Sequence, residues 1–211
     1  MTVSQAIQEF ITGMKQTGWV EYIAVFSGII SVWLSKKENI LVYPVGLINT
    51  IFYVYLSFKG GLLGEASVNF YYTVMSVYGW YNWSRKDKQL QPVIHISYSS
   101  AKEKLQQLMF FTGIYVIIFY LLTKAKTNFA AGAIPWADAF ASATAFTGMW
   151  LMTKKKMESW IWYMLTNLAS IPLYFVKQYV FTSVYFVILL LLAVAGWTEW
   201  KSKESKVNRK R

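Results

Sequence analysis

Apolar stretches of eighteen to twenty-two residues, parted by short polar breaks, recur along the chain. At about 20 residues per bilayer crossing, they predict seven spans: 18–35, 39–58, 62–83, 105–123, 134–153, 158–176 and 179–200. A shorter stretch within 1–17 places Ile7, Phe10, Ile11 and Met14 at helical spacing. It is too short to span and reads as an interfacial helix or arm. It has neither the basic start, the long apolar run nor the small-residue cleavage site of a signal peptide. The predicted class is an all-α polytopic membrane protein.

Composition agrees. Aromatic residues make up 18% of the 211 residues and charged residues only 15%, against about 25% charged in soluble domains. There is no cysteine, and the one histidine, His95, lies in the polar stretch 84–104. Disulfides, thiol chemistry and histidine-based metal or catalytic centres are left without material. No carboxylate pair lies at mid-depth in the spans, so the reading is not an enzyme, and no cofactor or metal is expected.

The net charge of +11 is explained by where the cations fall. With seven spans and the N-terminus outside, sixteen of the 21 Lys and Arg fall on the cytoplasmic side, at 36–37, 85–104, 154–156 and 201–211. The positive-inside rule then sets the N-terminus outside and the C-terminus in the cytoplasm. Retention of basic ends accounts for the tail without nucleic acid. Trp19 and Trp136 at outer ends, with Trp80, Trp83, Trp197 and Trp200 at inner ends, fit interfacial belts.

The chain also repeats. Trp19-x-Glu21 returns as Trp136-x-Asp138, Trp33-Leu34 as Trp150-Leu151, Lys37 as Lys154, and Gly79-Trp80-x-x-Trp83 as Gly196-Trp197-x-x-Trp200, each 117 residues later. Asn49 matches Asn167 at 118, which implies one inserted residue near the inner loop of the second copy. The expected organisation is an N-terminal arm (1–17), a first three-helix repeat (18–83), a cytoplasmic linker (84–104), a linker helix (105–123), a second repeat (134–200) and a basic tail (201–211). Three spans and one linker span return the chain to the same side. The repeats are therefore parallel, as in the SWEET transporters, with a substrate site expected near the midplane between them.

Polar groups deep in spans mark candidate sites. Asn49 and Asn167 lie near the centres of the second and sixth spans, and an amide both donates and accepts, which suits a neutral polar ligand. Helix–helix hydrogen bonding is the alternative. Asn69 is a further amide in the third span. Trp160, Tyr163 and Asn167 fall at i, i+3 and i+7 on one helical face, offering rings for a planar ligand beside an amide. Pro172 frees a carbonyl in the same span. Glu21, Glu65 and Asp138 lie at outer ends, as mouth charges or helix caps. No acid lies at mid-depth, which argues for uncoupled transport.

These residues resemble the Pnu-type vitamin transporters. The resemblance runs from Trp19 to Trp200 and rests on Trp19-x-Glu21, Gly46-Leu-Ile-Asn49, the tyrosine-rich third span ending Tyr78-Gly-Trp-Tyr-Asn-Trp83, Trp136-x-Asp138, and Met152-Thr-Lys-Lys before Glu158-Ser-Trp160 and Asn167. The family pattern Trp-x-x-Trp before Asn is met by Trp160 and Asn167, with Tyr163 in place of the second Trp. Asn69 stands where the family often has Gln. The resemblance implies substrate contacts from Asn49, Asn69, Tyr72, Trp160, Tyr163 and Asn167. It implies a homotrimer in the bacterial inner membrane that passes an unphosphorylated vitamin by facilitated diffusion, trapped by a cytoplasmic kinase. Nicotinamide riboside is the first substrate implied, with thiamine and riboflavin as alternatives; the alternative of another class is a non-transporting membrane assembly or receptor subunit.

Overall fold

The computed structural model describes residues 3–16, 18–59, 63–125 and 133–208. They form eight helices: α1 (Val3–Gln16), α2 (Trp19–Lys36), α3 (Val42–Lys59), α4 (Leu63–Ser84), α5 (Ala101–Ala125), α6 (Pro135–Met152), α7 (Glu158–Val176) and α8 (Val180–Asn208). The expected spans match α2 to α8 within a few residues, except that α8 continues through the basic tail as far as Asn208.

Local chemistry sets several ends. Pro135 opens α6 at a position where its missing N–H loses no helical bond. Asp138 reaches back so that its Oδ2 accepts the Ile134 N–H at 2.7 Å. At the C-termini of α2 and α6 the turn is the same: Glu38 (φ 62°) and Lys155 (φ 51°) adopt the left-handed conformation. Around the first, Glu38 N–H bonds Ser35 O and Asn39 N–H bonds Leu34 O; around the second, Lys155 N–H bonds Met152 O and Lys156 N–H bonds Leu151 O. This paired pattern closes a helix end, normally with glycine at the left-handed position. A non-glycine residue there costs roughly 1–2 kcal/mol, and here two residues 117 apart carry that cost.

Six helices close a ring in the order α2, α3, α4, α6, α7, α8, with α8 against α2; α5 packs outside on α6 and α1 on α8. Its two seams between halves, α2 with α8 and α4 with α6, exchange under the 117-residue repeat. The surface is apolar: Phe26, Ile51, Phe58, Phe70, Met109, Leu121 and Leu191 are all exposed. Much of the interior is small or polar, with Ala139, Ala143, Thr144, Thr147, Ser159 and Ser170 buried, beside one aromatic cluster. That inversion suits lipid outside and close helix packing within, and would be an aggregation surface in water. By length and composition, α5 (Ala101–Lys124) and α8 (Val180–Lys206) alone among the described helices meet a strict test for membrane crossing.

The segment 85–100 is docked rather than loose. Asp87 Oδ1 accepts the N–H groups of Gln89 and Gln91 in its turn. Ser97 pairs with the α6–α7 loop through Lys155 O and the Met157 N–H. Buried Glu158 accepts from Ser99 N–H (3.0 Å) and Ser99 Oγ (2.8 Å), and Gln107 donates to the same hydroxyl.

Candidate functional site

The basic end of the ring, where Lys36, Lys37 and Lys154 to Lys156 gather, is built twice. Tyr43 packs edge-on against Trp83 with centroids 5.2 Å apart and planes at 88°. Trp160 meets Trp200 at 5.4 Å and 89°. Gly79 makes room for the first ring and Gly196 for the second; a Cβ on either would enter the ring opposite. The indole of Trp83 donates to Met152 O (3.2 Å) and that of Trp200 to Ser35 O (3.1 Å). Each of these pairs maps onto the other at a spacing of 117. Between them Ser35 meets Met152 at 3.0 Å and Glu38 meets Lys155 at 2.6 Å. In both contacts the two partners are themselves 117 apart, which places them where the halves exchange.

This geometry corrects two expectations. The spacing is still 117 at Trp160, so no residue is inserted near the α6–α7 loop. Because α7 is then an unbroken helix to Val176, Asn49 corresponds to Thr166, and Asn167 to Thr50. Burial follows that register: Thr50 and Asn167 are each 5% exposed. Secondly, Trp160 has no exposed surface. It lies in the core with Tyr43, Trp83, Met157 and Trp200, so no face of its ring is open for stacking in this conformation. Its indole N–H and the Tyr43 hydroxyl, at equivalent positions, are buried without a hydrogen-bond partner among the described residues.

Midway along the helices the halves diverge. Asn49 Nδ2 donates to Ala24 O on α2 at 2.6 Å, and Thr166 binds Thr144 on α6 at 3.0 Å. Thr50 is satisfied by Thr73 of α4 at 2.9 Å. The counterpart of Thr73 on α8 is Leu190, which has nothing to offer Asn167. That amide, 5% exposed, has no hydrogen-bond partner among the described residues. Tyr163 packs over Gly148, whose Cβ would stand 3.0 Å from its ring, and its hydroxyl reaches Met149 Sδ at 3.4 Å. The matching positions in the first half are Ser31 and Gly46, both small.

Three of the predicted residues, Tyr72, Trp160 and Tyr163, lie near one another. The Tyr163 phenol lies within electrostatic reach of Tyr72, Tyr43 and Tyr71, and Trp160 sits behind it with ring centroids 6.4 Å apart. Tyr71 stacks on Phe146 at 4.1 Å and donates to its carbonyl, joining α4 to α6. Asn69 lies one turn before Thr73 and its carbonyl accepts the Thr73 hydroxyl at 2.9 Å. Sequence reasoning missed Gly28 and Tyr185, which meet Asn49 on one side of the ring. Tyr185 is embedded in an apolar run on α8, where no polar periodicity singles it out.

Of the end-placed acids, Asp138 caps α6 and pairs with Lys177 at 2.6 Å. Glu21 lies in the first turn of α2, where no side chain caps the N-terminus. The side chain of Glu65 lies outside the described residues. His95 is exposed, and no metal-binding cluster occurs among the described residues.

An apolar-surfaced ring of helices with small and polar groups buried inside it fits a membrane protein. Residues 18–202 match the family model described as nicotinamide mononucleotide transporter, and the chain belongs to that family. It is 23% identical over 208 residues to the nicotinamide riboside transporter PnuC of Escherichia coli, covering 89% of this chain and 87% of that one. It is 23% identical over 192 residues to the riboflavin/roseoflavin transporter RibM of Streptomyces davaonensis, covering 90% and 88%. The crystal structure of the vitamin B3 transporter PnuC shares its fold, with a TM-score of 0.69 at 19% identity over 93% of this chain and 87% of that one.

Proposed function

We propose that this protein carries nicotinamide riboside across the bacterial inner membrane by facilitated diffusion, with net uptake drawn inward by a cytoplasmic kinase that phosphorylates the product. The observation that carries the reading is Asn167: a buried amide with free hydrogen-bonding capacity, beside Tyr163 and opposite Asn49. Tyr72 and Tyr163 enclose the planar ring; Asn49 and Asn69 supply further donors and acceptors; Trp160 backs Tyr163.

The architecture we assign is seven spans in a 3+1+3 parallel-repeat arrangement like that of the SWEET transporters, with the basic end in the cytoplasm and the N-terminus outside. A homotrimer is proposed from the family resemblance. No acidic residue stands at mid-length in any ring helix, which supports transport without proton or sodium coupling. Riboflavin is the second reading, favoured by the similarity to RibM; thiamine is a third.

The deciding experiment is uptake of labelled nicotinamide riboside, riboflavin and thiamine into vesicles, with and without an enclosed trapping kinase. Nicotinamide riboside should equilibrate without the kinase, accumulate as its phosphate with it, and survive collapse of ion gradients. Accumulation of unmodified vitamin far above its external level would refute uncoupled transport. A reporter fused after Arg211 should behave as cytoplasmic.

A further inference from the structure

Gly28 lies buried on α2, and two polar groups rest on its bare backbone from different helices. A Cβ there would stand 2.7 Å from Asn49 Nδ2 of α3 and would collide with the hydroxyl of Tyr185 of α8. One N–H of Asn49 is held by Ala24 O; its other N–H and its Oδ1 have no partner among the described residues. The Tyr185 hydroxyl likewise has none, and its side chain keeps some exposed surface although helices surround it. The Tyr72 phenol lies within its electrostatic reach. The corresponding niche of the other half is apolar: at a spacing of 117, Gly28 becomes Ala145 and Tyr185 answers to Val68. Asn49 becomes Thr166, whose hydroxyl is already used on Thr144 and on the Trp162 carbonyl.

From this one-sided niche we infer that Tyr185, with Asn49 and over Gly28, is a specificity-determining residue that reads the hydroxyl groups of a polyol attached to the vitamin ring. The inference rests on the transporter reading above. The chemistry is direct. A sugar or ribityl chain offers neighbouring hydroxyls, each both donor and acceptor. A phenol and an amide converging on one point can take a pair of them, the phenol donating to one while the amide oxygen accepts from the next. Glycine at 28 is required because any side chain would fill the space in which both groups lie. The aromatic end then falls to Tyr163 over Gly148, so a ring-plus-polyol substrate lies across the ring in a single orientation. A pseudo-symmetric cavity with two equal niches would not distinguish its ends.

The test is equilibrium binding of nicotinamide riboside, riboflavin, thiamine and free nicotinamide to the full chain, as wild type, Tyr185→Phe and Gly28→Ala. Tyr185→Phe removes one oxygen and leaves the packing intact. It should weaken nicotinamide riboside, or riboflavin if that is the vitamin bound, about 5- to 20-fold, with thermal unfolding and monodispersity unchanged. Gly28→Ala should weaken it about tenfold or more. Neither variant should alter the affinity for free nicotinamide, which has no polyol, by more than about twofold. Should wild type bind a polyol vitamin and Tyr185→Phe bind it equally well, the inference falls while the transporter reading stands. Wild-type binding of thiamine alone overturns the polyol assignment and the proposed substrate together. Binding of none of the four compounds overturns the carrier reading as well.

Discussion

The basic end and the middle of the helix ring teach opposite lessons from one duplicated sequence. At the basic end the two halves are nearly interchangeable: edge-on rings at 88° and 89°, two indoles bonded across to the other half, two left-handed helix ends. Midway along, the halves have been driven apart: Asn49 against Thr166, Thr73 against Leu190, Tyr185 against Val68, Gly46 against Tyr163. Symmetry is retained where the requirement is to seal two equal halves together. It is lost where we place the unsymmetrical substrate. Buried polar groups follow the same division. In the middle of the first half Thr50 and Thr73 satisfy each other, while Asn167 is left open.

That comparison breaks most visibly through Asn167. Asn167→Leu should weaken substrate binding by roughly 5- to 150-fold, whereas Thr166→Val, which removes a hydroxyl already used within the protein, should change affinity less than about threefold. Calorimetry on monodisperse variants decides it, and equal effects would mean the two middles are not functionally distinct. Next come Gly79→Ala and Gly196→Ala. Each forces a methyl into an aromatic ring, and overpacking of this kind costs roughly 1–3 kcal/mol. The two losses in thermal stability should match to within about 1 kcal/mol; a large difference would show that the basic end is less symmetric than its geometry.

A sharper version uses the pair on the exchange axis. Glu38→Lys or Lys155→Glu alone should destabilise by roughly 1–2 kcal/mol, less than for a fully buried pair because Glu38 retains some solvent contact. The double exchange should recover most of that loss, since the two backbones share one conformation; a double-mutant cycle on thermal unfolding measures the coupling. The smallest effect concerns the linker. The Lys156 ammonium, bonded to Glu103, holds that carboxyl below its ordinary value of 4.5. A depressed carboxylate stabilises fully above its unfolded pKa and loses that contribution as pH falls through the folded one. Linker docking, read by hydrogen exchange at Ser97 to Ser100, should be flat from pH 5 to pH 8 on this account and loosen only in acid below 4.5.

The helices were legible in the sequence because apolar length and polar breaks determine them. The repeat was legible because its markers are tryptophans and glycines, which jam rings into clefts and tolerate little change. The register through α7 was not. Asn49 and Asn167 share a letter but not a place, and only ring packing around Trp160 fixes the frame at 117. Nor was the enclosure of Trp160, since a tryptophan near a helix end has the same pattern whether it lines a cavity or plugs one. Tyr185 was hidden for the converse reason: it opens a long apolar run, and the role we propose for it depends on a glycine 157 positions earlier. The tail looked like a plain basic extension, yet Glu199 beside Lys36, Lys37 and Lys203 ties its helix to the α2 end.

The ion pair between Glu38 and Lys155 also bears on ancestry. Imagine the two halves as separate, identical chains meeting about a true twofold. A residue on that axis faces its own copy, so position 38 could only confront acid with acid, or base with base. Joining the copies into one gene lifts that constraint. Each can then mutate alone, and opposite charges become available where identity had forbidden them. On this view the Glu38–Lys155 contact, with the Ser35–Met152 contact beside it, records the step from self-association to a single asymmetric chain. A half-length protein built from either copy would meet like charge at its centre and lose the contact that now locks the halves together.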